Sequence, residues 1–147
     1  MQSTRRNLPQ LLSEARRWFE EGLSAAMEAA GATPVSATQA QLFAVLDDQG
    51  ITVSELARRM SVTRQTAHQA VHGLVAAGLL EQVPHPASAR QRLVRRTQEG
   101  ERAHRQAGII LERLEEQLAE RIGREAVDVL RATLEAPWTR PPSPSSQ

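Results

Sequence analysis

The sequence contains no cysteine, no lysine and no tyrosine. Without cysteine there can be no disulfide, no thiolate nucleophile, no cysteine-ligated zinc and no thiol redox switch. Without lysine there is no Schiff-base chemistry. Aromatic residues are scarce: Trp18, Phe19, Phe43 and Trp138 are the full set. A base-stacking surface for single-stranded nucleic acid would want more. No apolar run is long enough to span a bilayer. Met1 to Asn7 is polar with Arg5 and Arg6, and no signal-peptide-like apolar run follows. The expectation is a soluble, cytoplasmic chain.

What the sequence does have is arginine. All 18 basic residues are arginine, against 17 acids, for a net charge of +1. Codon bias accounts for such a total, so the placement carries the information. Residues 1–50 sum to −2, residues 51–96 to +5, and residues 97–147 to −2. The basic middle holds Arg58, Arg59, Arg64, Arg90, Arg92, Arg95 and Arg96. Such a segment faces either a polyanion or plain solvent.

Apolar spacing predicts a first helix over about 8–30, with Asn7 and Gln10 as a capping-box pair and Gly31 as its stop. A second helix is expected to start at Thr38, paired with Gln41, and to end at Gly50. Ile51 reads as a very short strand. Thr52 with Glu55 opens a third helix, and Ser61-Val62 makes a short turn. Thr63 caps a fourth helix that runs to about Ala77, with Gly78 as its stop. Residues 79–83 and 91–95 read as two short strands, and PHPASAR between them as the turn of a hairpin. Thr97 caps a long helix to about Ile122, and a last helix covers about 124–135. The Pro/Ser-rich end is expected to be disordered. Helices three and four, followed at once by a hairpin, make a winged helix-turn-helix.

On a helical wheel, Ala67, Val71, Leu74 and Val75 of the fourth helix share one side. Gln65, Thr66, Gln69 and Gly73 face the other way, with His68 and His72 on a flank. The amides of Gln65 and Gln69 and the methyl of Thr66 suit base edges in a major groove. Ser61, Thr63 and Arg64 lie where a helix start favours a phosphate. Arg90 and Arg92 sit in the hairpin, where a wing arginine can enter a minor groove. Of Arg95 and Arg96, one must point inward along the strand.

The segments ELARRMSVTRQT, GLVAAGLLE and LVRRTQEG resemble the winged-helix core of MarR-type transcriptional regulators. The resemblance extends over about residues 7–135. It implies a mainly α fold in which the N- and C-terminal helices form a dimerisation domain. The corresponding segments are 1–35 (N-terminal helix), 36–97 (DNA-binding lobe), 98–136 (C-terminal helices) and 137–147 (tail). It further implies a homodimeric repressor, released from a palindromic operator by a small, often aromatic, anionic effector. Two departures stand out. Ser88 takes the place of a family Asp two residues before Arg90, and His72-Gly73 takes the place of Asp-Arg. Together they imply a less fixed wing.

The long helix and the first helix carry more apolar surface than one chain of this size covers easily, which also points to a homodimer. Leu8, Leu11, Leu12, Leu118, Ile122, Val127, Leu130 and Leu134 are the expected interface. Trp18, Phe19, Phe43, His68 and His104 are effector-pocket candidates by residue type. His68 and His72 have i,i+4 spacing but no third ligand, so no metal is expected, and no cofactor motif is present. Nothing favours an enzyme. The alternative is a winged-helix module that binds protein and not DNA.

Overall fold

The computed structural model of the chain describes residues 5–139. Six helices and one hairpin follow in order: α1 (Leu8–Ala29), α2 (Ala37–Val45), α3 (Val53–Met60), α4 (Arg64–Ala76), β1 (Leu80–His85), β2 (Ser88–Arg96), α5 (Gln98–Ile122) and α6 (Arg124–Glu135). The architecture is mainly α with a two-stranded antiparallel wing. Two compact units divide the chain at residues 111 and 112, within α5.

Most helix starts follow from single capping residues. Asn7 and Gln10 form the expected capping box of α1, with Pro in its first turn. Thr52 Oγ1 accepts from Glu55 N, and Thr63 Oγ1 from Thr66 N. α2 corrects the sequence reading. Its cap is Ser36, whose hydroxyl accepts from Gln39 N while Gln39 Oε1 accepts from Ser36 N. Thr38 and Gln41 fit the same pattern, but the earlier pair adds backbone bonds to a short helix. α2 also stops at Val45, well before Gly50. Leu46 turns extended and is buried, and a turn then closes from Gly50 N to Asp47 O. Gly50 sits at φ +85, which favours glycine. That turn presents Asp47 and Asp48 to two arginines, Arg59 and Arg96.

The core is the three-helix lobe closed by the wing's base. Leu42, Leu46, Leu56, Met60, Val71, Leu74, Leu80 and Val94 pack together with Ile51. Full burial of a leucine or valine contributes roughly 1.5–3 kcal/mol each. Ile51 is the short strand expected: it exchanges both backbone hydrogen bonds with Val94, at 3.0 and 2.8 Å.

The wing is longer than the sequence reading. β1 and β2 reach to His85 and Ser88, leaving only Pro86 and Ala87 as the turn. Pro84 is tolerated because β1 is an edge strand. The register jumps from Pro84 opposite Arg92 to His85 opposite Ser88. Ala89, Arg90 and Gln91 therefore bulge without partners on β1. A bulge bends a strand and re-aims its side chains.

The junction of β2 and α5 is tight. Thr97 Oγ1 accepts from Gly100 N and donates to Gly78 O. A Cβ at Gly100 would meet the Leu79 carbonyl oxygen at 2.0 Å. That carbonyl is fixed because it accepts from Thr97 N at 3.1 Å. Gly100→Ala is expected to destabilise the lobe by about 2–3 kcal/mol, read as a melting temperature roughly 5–10 °C lower.

α1 is amphipathic, yet none of its residues is buried. Leu8 is 71% exposed, and Leu11 and Leu12 are exposed too. Within 112–139, Leu114 and Val127 are buried and Arg131 pairs with Glu115. Val127 is thus already buried in the single chain. Leu118 is half-buried, while Ile122, Leu130 and Leu134 are exposed. Trp138 Nε1 donates to Thr133 O. The part of the expected disordered tail from residue 140 on lies outside the described residues. Among the described residues, no helix is long and apolar enough to cross a membrane.

Candidate nucleic-acid interface

α4 starts from a turn that only a few residue types make. Ser61 closes α3 at φ 54, in the left-handed region. Val62 N then reaches back to Ala57 O at 3.0 Å. Thr63 caps α4 and its hydroxyl also donates to Thr66 Oγ1 at 2.8 Å. Thr66 is half-buried and its hydroxyl is committed to the cap. Arg64, Gln65 and Gln69 are exposed.

The buried side of α4 is Ala67, Ala70, Val71 and Leu74. Its exposed row is therefore Gln65, His68, Gln69 and His72. This rotates the face expected from the wheel. Gly73 is not outward: a Cβ there would come within 2.1 Å of Gln39 Nε2 on α2. Val75 is exposed in place of Ala70. His68 lies in the open beside His72, rings stacked 6.1 Å apart, and not in an aromatic pocket. Sequence spacing alone missed this because both histidines sat on the boundary of an ideal wheel.

The seven arginines of the basic middle divide cleanly. Arg58 pairs with Glu55, and Arg59 with Asp47 and Glu55. Hydrogen bonding to Arg59 holds the Asp47 carboxyl below the usual range, and Arg58 followed by Arg59 does so for Glu55. Both carboxyls are held charged by these arginines, so the pairs are intact at neutral pH and release only in acid, below the usual carboxylate range. Arg95 pairs with Glu81 across the strands. Arg96 is the inward member of its pair, with a side chain only 2% exposed. It bonds Asp48, Glu101 Oε1 at 3.0 Å and Leu46 O at 3.2 Å, and lies over the Phe43 ring. Glu101 thus turns to Arg96 and not to Arg105, its helical neighbour at i+4.

Arg64, Arg90 and Arg92 remain. Among the described residues, none of the three has an ion-pair partner, and all are exposed. They stand at the first turn of α4 and on β2 of the wing. Ser88 supplies part of the order that the sequence reading expected to be lost. Its Oγ accepts from Arg90 N at 3.3 Å, and His85 Nδ1 accepts from Ala87 N at 3.0 Å.

The other candidates separate. Trp18 and Phe19 pack edge to face on α1, 4.9 Å apart. Phe43 meets His104 at 6.0 Å, beside Arg96. Phe43 also packs against the core, so it has a structural task already.

A sequence model of the MarR family matches residues 33–91, from the approach to α2 into the wing. That match makes residues 33–91 similar to the MarR family. The chain also shares its fold with solved structures. The reduced form of MarR from E. coli is 21% identical with a TM-score of 0.76, covering 90% of this chain and 97% of that one. A MarR-family transcriptional regulator from Rhodococcus is 20% identical with a TM-score of 0.70, covering 92% and 96%. A transcriptional regulator from Thermotoga maritima is 22% identical with a TM-score of 0.59, covering 86% and 88%. No curated protein sequence matches significantly.

Proposed function

We propose that this chain is a MarR-type, sequence-specific regulator of transcription that binds double-stranded DNA. One observation carries the reading. The fold neutralises four of the seven arginines between 51 and 96, and leaves exposed the three on α4 and the wing. A segment serving only as a solvated face has no reason to leave cations unpaired at those two elements. The exposed row on α4 supplies the polar groups for base edges, with Gln65 and Gln69 suited to adenine.

The assembly proposed is a homodimer on a pseudo-palindromic operator. Leu8, Leu11 and Leu12 on α1, with Ile122, Leu130 and Leu134 further on, are apolar and exposed in the single chain. A second copy would cover them, and two recognition helices would read two half-sites about one helical turn apart. Repression, with release by a small aromatic or anionic effector, is the mode the family resemblance implies. The aromatic groups of Trp18, Phe19, Phe43 and His104 are the candidates for that effector.

The test is selection of duplexes from a random-sequence pool, followed by binding of the enriched site. An inverted repeat should emerge. Gln69→Ala should weaken that site by about tenfold while leaving the assembly state unchanged. Failure to enrich any duplex, with no retention on heparin at low salt, would favour a protein-binding module instead.

A further inference from the structure

The exposed row of α4 contains two groups that the wheel had set aside, His68 and His72. Both are exposed and stack at 6.1 Å with an interplanar angle of 26°. Resting on the DNA-binding reading above, we propose that these two imidazoles contact the DNA, and that each takes up a proton in doing so. Binding then tightens as pH falls from 8 towards 6.

The surroundings of the pair support this. Imidazole is the side chain whose charge ordinarily changes between pH 5 and 8. α4 carries no acid at all; its only other ionisable side chain is Arg64. The elements packed against α4 are α2, α3 and β1. α2 has no ionisable side chain. α3 carries Glu55, Arg58 and Arg59, which are tied to one another and to Asp47. β1 carries Glu81, paired with Arg95, and His85, whose Nδ1 accepts from Ala87 N. Both carboxylates on these elements are therefore committed elsewhere. Protonating both stacked rings brings two like charges face to face, with no uncommitted carboxylate on α4 or on α2, α3 and β1 to relieve them. A DNA phosphate, or the O6 and N7 acceptors of guanine, would supply the relief. Each proton taken up on binding changes affinity by up to about tenfold per pH unit.

The experiment uses the full chain and a duplex enriched by the wild type, with a chelator present so that no divalent cation contributes. Affinity is measured at about pH 6 and about pH 8, the window in which imidazole gains its proton. The wild type should bind about tenfold or more tightly at the lower pH, by the same linkage. His68→Gln with His72→Gln should bind with nearly equal affinity at both. His68→Arg with His72→Arg should bind tightly at both, because the charge is then permanent. A lower salt slope in the glutamine variant assigns the contact to phosphate; an unchanged slope with lost preference for guanine assigns it to a base. A flat wild-type profile, or a glutamine variant with the wild-type pH ratio, overturns the inference while DNA binding itself stands. A wild type that enriches no duplex overturns the proposed function as well.

Discussion

Replacing Arg64, Arg90 and Arg92 together by alanine is expected to reduce affinity for the enriched duplex by roughly a thousandfold or more at moderate salt. Each arginine on a phosphate or in a groove releases condensed counterions, and a dimer would lose six such groups. The melting temperature should stay near that of the wild type, because none of the three supports the fold. They have no ion pair among the described residues and lie outside the core. Arg58→Ala and Arg95→Ala make the comparison. Those side chains are equally cationic and lie in the same segment, but Glu55 and Glu81 hold them. Each should change DNA affinity by only a few-fold. Filter binding or fluorescence anisotropy distinguishes the two groups.

Arg96→Met is expected to act the other way, on stability first. The guanidinium is almost wholly buried and holds three acceptors: Asp48, Glu101 and the Leu46 carbonyl. It joins the end of α2, the base of the wing and the first turn of α5. Breaking a buried ion pair usually costs about 3–5 kcal/mol, because a charge is stranded. Here the stranded partners are not deeply buried: the Asp48 side chain is 84% exposed and that of Glu101 38%. The loss should therefore fall at or below that range, near 2–4 kcal/mol once the unpaired Leu46 carbonyl is included. Thermal unfolding should show a melting temperature lower by roughly 5–15 °C. Asp48→Ala, which removes only the solvated partner, should cost less than about 1 kcal/mol. If Arg96→Met melts like the wild type, the buried cluster does not hold the lobe together.

Much of this was legible in the residues. Asn7, Thr52, Thr63 and Thr97 announced their helices because a capping side chain acts within three residues. Ile51 and the hairpin were visible because β-branched and apolar residues stand between turn signals. The errors arose where local rules gave two equal answers. Ser36–Gln39 and Thr38–Gln41 both fit a capping box, and the earlier pair is the one formed, which lengthens a short helix. The strand limits were drawn short because Pro84 and Pro86 read as turn, although an edge strand accepts proline. The face of α4 was rotated because a wheel weighs apolar residues alone. Gly73 is small enough to pack closely beneath α2, so it faces inward with no apolar side chain to mark it.

The arginines show the limit most clearly. Their count and position gave a basic segment of +5, but not which of them remain available. The partners of Arg59 and Arg96 come largely from outside that segment, in Asp47, Asp48 and Glu101. Part of the basic charge is cancelled by the flanks, across some fifty residues of sequence in the case of Asp48. No window along the chain reveals such pairings. The near-neutral total therefore hides two different kinds of arginine: four that build the lobe and three that face away from it.

The most direct test is the salt dependence of DNA affinity, measured for the wild type and for the Arg64, Arg90 and Arg92 triple alanine variant. The slope of log affinity against log salt should become shallower by about 0.9 for each phosphate contact removed. A shallower slope in the triple variant, with Arg58→Ala and Arg95→Ala keeping the wild-type slope, is the predicted result. A triple variant with the wild-type slope and affinity would contradict the assignment of these arginines to DNA.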